Sequence, residues 1–147
     1  MDLTLTSIGM IHSPYRDPAQ APIQASRSKV KGSVDVFPQY AAGLRDLDEF
    51  SHIYLIYLID CPQGYTLSIK PFLDNRDHGV FATRYPCRPN SIGLSLVRLL
   101  QIDGNRLDIE GVDMLDSAPL LDIKPYIPEF DIRENARIGW YGRRAHS

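Results

Sequence analysis

The chain has 147 residues, 44% of them hydrophobic and 23% charged, with a formal net charge of -2. That is one domain's worth of core in an ordinary globular balance, which excludes wholesale disorder and the strongly basic composition of a nucleic-acid coat protein. Twelve of the basic residues are Arg and four are Lys, so a local Arg-based recognition surface remains compatible with the acidic total.

In chain order, short apolar segments alternate with Pro, Gly, Asn and Asp, the spacing of an antiparallel sheet or barrel. The periodicity predicts strands at Leu3–Ser13, Gly32–Phe37, His52–Ile59, Gly79–Thr83, Ser91–Ile102 and Arg106–Gly111. Asp103-Gly104-Asn105 reads as a hairpin turn joining the last two. Tyr40–Asp48 suits a short helix, and eleven prolines argue against long ones. Residues 14–31 read as a loop of a length that is usually functional or disordered. The segment from Asp116 onward reads as irregular and Pro-rich. The expected organisation is one domain over residues 1–135 and a tail over 136–147.

No basic and apolar leader opens the chain, and the apolar run Ile53–Ile59 falls far short of the ~20 residues of a membrane helix. Two cysteines, Cys61 and Cys87, are too few for a disulfide framework and have no metal-knuckle spacing. A soluble protein in the reducing cytoplasm, away from any membrane, is expected. The four histidines, His12, His52, His78 and His146, are likewise scattered, so no metal site is expected. Nucleophile-elbow, P-loop, zinc-protease and Gly-rich dinucleotide motifs are absent from the sequence.

Two segments carry candidate chemistry. In His78–Gly93, Arg84, Arg88 and Asn90 sit in a loop stiffened by Pro86 and Pro89. The arginines suit a carboxylate, and the amide suits a nucleobase edge. The alternative is a stiff connection whose arginines face solvent. In Asp113–Tyr126, Asp113, Asp116 and Asp122 lie within ten residues, beside Lys124 and Tyr126. Close acids can serve acid–base work, a cation or ribose hydroxyls, but Asp is also a common turn residue.

Taken together, several motifs resemble the TsaA-like (YaeB/TrmO-like) family. They are Ile8–Tyr15, Val34–Pro38, Gly43–Leu47, Phe50–Ile53, Gly79–Arg84, Arg88–Gly93, Leu115–Pro119 and Asp122–Tyr126, and the match spans about residues 5–130. The resemblance implies an all-β fold, a single-sheet antiparallel β-barrel with long loops and an irregular C-terminal segment. It further implies a homodimer that binds S-adenosyl-L-methionine near the subunit interface and methylates tRNA at N6 of threonylcarbamoyladenosine 37. Carried over residue by residue, the cofactor positions are Ile23, Gln24, Ala25, Asp60, Cys61, Arg84, Leu94, Asp116, Ser117 and Ala118. Arg88 and Asn90 join them from the stiff loop. The expected role of Arg84 is to hold the cofactor carboxylate.

No catalytic base is assigned, although Asp113, Asp122 and Tyr126 are candidates. Three departures from the family pattern stand out. Ser91 replaces the second proline of Arg-Pro-Asn-Pro-Ile-Gly, Ser117-Ala118 replaces the middle of Asp-Gly-Thr-Pro, and Asp60-Cys61 stands where His-Gln is common. Bacterial members also carry a C-terminal domain that helps hold tRNA. A small molecule or another RNA base therefore remains an alternative acceptor, and a non-catalytic nucleotide- or RNA-binding barrel an alternative function.

Overall fold

The computed structural model describes residues 1–18 and 29–143. The chain separates into two compact units. One comprises residues 1–59 and 92–126, and the other 60–91 and 127–147.

The first unit is a closed barrel of six strands: β1 (Gly9–His12), β2 (Lys31–Val36), β3 (His52–Leu58), β6 (Ile92–Asp103), β7 (Arg106–Glu110) and β8 (Ala118–Pro125). Around the barrel they run β1-β2-β7-β6-β3-β8, and every pairing is antiparallel. The two-residue alternation in sequence becomes inside and outside. Ile11, Val34, Ile53, Leu55, Leu107, Ile109 and Leu120 are completely buried, and Val36 and Val97 nearly so. A six-stranded barrel is narrow enough for such side chains to fill it.

Gly104, in the left-handed region at φ 60°, turns β6 into β7. Asn105 fixes that hairpin by donating from Nδ2 to the Val36 carbonyl at 2.6 Å. Gly93 faces Tyr57 in the β3–β6 register, and a Cβ there would stand 2.3 Å from the Tyr57 ring. The Tyr57 hydroxyl lies 2.8 Å from Ser95 Oγ, which donates to Asp113 Oδ1 at 2.6 Å.

Several expectations need correction. The first strand is shorter than Leu3–Ser13, because residues 1–6 are exposed and lie outside any strand. In place of a helix at Tyr40–Asp48 there are two 3-10 turns, Pro38–Leu44 and Leu47–Glu49, separated by Asp46 at φ 69°. Strand Gly79–Thr83 is not formed: only His78–Gly79 (β5) pairs, with Ser68–Ile69 (β4), and Val80–Ala82 turns as a 3-10 helix. The segment after Asp116 is not irregular, since β8 closes the barrel despite Pro119 and Pro125. Two short helices follow, α1 (Pro128–Asp131) and α2 (Gly139–Arg143). Finally, Cys61 and Cys87 are joined in a disulfide, with Cα atoms 5.5 Å apart. A separation of 26 residues gives no spacing signal; the β4–β5 hairpin between them brings them together. The cysteines therefore give no support to a reducing setting. No described helix is long and apolar enough to cross a membrane.

Two outcomes test this packing. Ser117 holds φ 67° just before β8, a conformation that costs a non-glycine residue about 1 kcal/mol or more. Ser117→Gly is expected to raise stability by about 0.5–1 kcal/mol in denaturant unfolding, net of glycine's own entropy. The second outcome concerns Tyr57. Burial, and after it the Asp113 charge, push its hydroxyl from 10.0 up to about 12. An unfolded tyrosine ionises first, so stability falls as pH rises from 10 toward about 12, by about 2–3 kcal/mol. Tyr57→Phe should lose about 1 kcal/mol at neutral pH and show a correspondingly smaller alkaline fall. An unchanged alkaline profile in the variant would refute the assignment.

Candidate functional site

In the barrel unit, the chain leaving β1 is stitched to the turn that enters β8. The Ser13 backbone N–H donates to Asp116 Oδ1 at 3.0 Å, and Ser13 Oγ donates to the Met114 carbonyl at 2.7 Å. That hydroxyl also accepts from Tyr15 N–H at 2.9 Å. In return, Asp116 N–H donates to the Tyr15 carbonyl and Ser117 N–H to that of Ile11. The Asp116 carboxyl is held below the usual carboxylate range. The Ser13 N–H is the main cause and outweighs the opposing effect of burial; His12, the Ser117 N–H and Arg16 add to the lowering. Asp116 is thus a fixed, ionised carboxylate, as a cation or hydroxyl ligand requires.

His12 stands between two carboxylates, with Nε2 2.8 Å from Asp35 Oδ2 and Nδ1 3.7 Å from Asp116 Oδ1. Neither His12 nor Asp35 was among the candidate residues. They lie 104 and 81 positions from Asp116, which hides the cluster; only the position of His12 beside Ser13-Pro14 hints at it.

Elsewhere in this unit, Leu94 is 55% exposed on β6, opposite Ile56. Asp122 accepts from Ile123 N–H at 2.8 Å and pairs with Lys124 at 3.1 Å. The Tyr126 ring packs edge-on against His52 and Tyr54. Asp122 also lines a groove of about 440 Å³ with Tyr40, Leu44, Leu47, Phe50 and Ile123. A second groove, of about 580 Å³, is lined by residues including His12, Ser13, Lys31, Gln101, Arg106 and Asp108. Neither groove includes Arg84, Arg88, Asn90 or Asp116 in its lining.

The second unit holds the Arg-bearing loop. Arg88 turns inward: its Nη1 donates to the Thr83 carbonyl at 2.9 Å and the Tyr85 carbonyl at 3.2 Å. Ser91 supports the same loop, its hydroxyl donating to the Arg88 carbonyl at 3.2 Å. Arg84 and Asn90, by contrast, are exposed, and their side chains make no hydrogen bond or ion pair among the described residues. Asp60 is exposed as well, while the Cys61 sulfur is taken up by Cys87. Cys61 can therefore offer a ligand only its backbone while that bond is intact.

His78 stacks on Trp140 at 5.0 Å between ring centroids and bonds Asp74, whose carboxyl is lowered chiefly by that bond. Trp140 in turn donates from Nε1 to the Ala82 carbonyl at 2.6 Å, which ties α2 to this loop. Ile23, Gln24 and Ala25 lie outside the described residues. Among the described residues no group of His, Cys, Asp or Glu is arranged to hold a metal ion.

A family model, the tRNA-methyltransferase O N-terminal domain, matches residues 10–132. A probable S-adenosyl-L-methionine-binding protein of Pyrococcus abyssi is 54% identical over 140 residues, covering 95% of this chain and 76% of that protein. The mouse tRNA (adenine(37)-N6)-methyltransferase is 37% identical over 116 residues, covering 77% of this chain and 27% of that protein. Among solved structures, a crystal structure of TrmO superposes with a TM-score of 0.81 at 35% identity. It covers 95% of this chain, which spans only 64% of the TrmO chain. The chain belongs to the tRNA-methyltransferase O N-terminal-domain family.

Proposed function

We propose that this chain transfers the methyl group of S-adenosyl-L-methionine to tRNA, the acceptor being N6 of threonylcarbamoyladenosine at position 37. The observation that carries the reading is the family match over residues 10–132, a stretch that contains both the Arg84 loop and the Asp116 turn. The name of the mouse relative supports adenine 37 as the target.

The residues present suit the chemistry of that cofactor. Its carboxylate calls for a planar cation, and Arg84 is exposed with its side chain uncommitted among the described residues. Its hydroxyls and positive centre call for a carboxylate that stays ionised, and Asp116 is held so. The exposed Asn90 amide, without a side-chain hydrogen bond among the described residues, suits a nucleobase edge. Arg88 is engaged by its own loop, so in this reading it keeps Arg84 and Asn90 in place rather than gripping the ligand. Ile23, Gln24, Ala25, Asp60, Leu94, Ser117, Ala118 and the backbone of Cys61 are the other positions proposed to contact the cofactor.

When bound, the cofactor supplies a methyl group that is already activated. The protein's task is then to fix donor and acceptor in line, and proximity of this kind can supply about 7–11 kcal/mol.

The proposed assembly is a homodimer. Leu58, Ile92 and Leu94 are 39%, 42% and 55% exposed on the outer face of β3 and β6, with Leu58 paired to Ile92 and Ile56 to Leu94. Such an apolar outer stripe suits a second copy of the chain. Light scattering of the purified protein is expected to give twice the chain mass, and a monomer at all concentrations would refute the dimer.

Arg84→Ala is expected to weaken S-adenosyl-L-methionine binding at least tenfold by calorimetry, about the value of a lost charge-assisted pair. Methyl transfer to tRNA should fall at low cofactor and recover at saturation. Wild-type affinity in the variant would remove Arg84 from the site.

A further inference from the structure

We propose that the outward face of Phe81, backed by the Arg88 guanidinium, is a stacking platform for an unpaired base of the RNA substrate; this rests on the tRNA reading above.

Phe81 is 75% exposed, although it sits in a turn with little freedom to move. The preceding residue, Val80, is 1% exposed, and its N–H donates to the Leu67 carbonyl at 2.9 Å. Thr83 closes the turn, its N–H and hydroxyl both donating to the Val80 carbonyl at 3.0 and 2.8 Å. The Ala82 carbonyl is held by Trp140. A large apolar ring is therefore displayed on a braced backbone instead of folding inward.

One side of that ring is already served. The Arg88 guanidinium carbon stands 6.0 Å from the ring centroid, within cation–π range. Arg88 is itself pinned by the Thr83 and Tyr85 carbonyls, and its neighbour Cys87 by the disulfide. An aromatic ring backed by a fixed cation is preorganised, so little rotamer entropy remains to be lost when a flat partner covers the free side.

The charge of the surrounding segment selects among flat partners. From His78 to Gly93 there are two arginines and no acidic residue, and the nearby Asp74 is occupied by His78, so the segment itself favours a polyanion. Exposed aromatic rings beside arginines are how single-stranded RNA bases are held, and any base can stack because each has a π face. An apolar protein surface would not need the basic surroundings.

The test uses the full chain and an anticodon stem-loop RNA carrying 2-aminopurine at an unpaired loop position. Wild-type protein should quench the fluorophore on binding. Phe81→Ala should abolish the quench and weaken loop binding by about fivefold to 150-fold, the range for one lost stack. Phe81→Trp should preserve both, and S-adenosyl-L-methionine affinity should be the same in all three proteins.

Wild-type loop affinity in Phe81→Ala would overturn the platform. So would an equal loss for a fully paired RNA duplex, or a loss of cofactor affinity with RNA binding intact. Methyl transfer to tRNA by the wild type is measured alongside. Quenching without transfer would refute the tRNA methylation reading and leave the platform standing, whereas a wild type that binds no RNA would refute both.

Discussion

Closure of the barrel depends on β8, which pairs with β3 on one side and β1 on the other. Without it those two strands would be open edges, with a row of unpaired backbone groups on each. The residues just before β8 do a second task. Asp116 and Ser117 are tied by backbone hydrogen bonds to Tyr15 and Ile11, and Ser13 returns two more to Asp116 and Met114. Closing the barrel and fixing an ionised carboxylate are therefore achieved by the same short stretch. This explains how a turn with a left-handed serine persists: flanking hydrogen bonds over-determine it.

The barrel strands were largely legible because their burial alternates with period two, as at Ile53-Leu55-Tyr57 and Val34-Val36. β8 was not legible. Its sequence has Pro at two positions and only Leu120 fully buried, so it lacks the alternation that marks a strand. It forms because β1 and β3 offer edges on both sides, which is tertiary information. The same holds for Gly79–Thr83, whose apolar run predicts a strand. In the fold Val80 packs inward while Phe81 is displayed, and three hydrogen bonds to or from Val80 curl the chain into a turn.

The chemistry-bearing residues were half legible. Arg84, Asn90 and Asp116 carry the functional groups their proposed roles call for; among the described residues the side chains of the first two make no hydrogen bond or ion pair, and the Asp116 carboxyl is held below the usual range. Arg88 looked equivalent to Arg84 in sequence, yet it spends its guanidinium on two carbonyls of its own loop. That distinction depends on the backbone path between Thr83 and Arg88. Likewise β1–β2 pairing brings Asp35 to His12, and the β1–β8 side of the barrel brings Asp116 to its other edge.

The proposed reaction is methyl transfer to one modified adenosine, and nucleoside mass spectrometry reads out its product. Purified protein is incubated with S-adenosyl-L-methionine and with tRNA that either carries or lacks the threonylcarbamoyl group, and the RNA is then digested. The expected result is a singly methylated threonylcarbamoyladenosine, formed only with the modified tRNA. Methylation of some other nucleoside, or no methylation of either tRNA by protein that binds the cofactor, would contradict it.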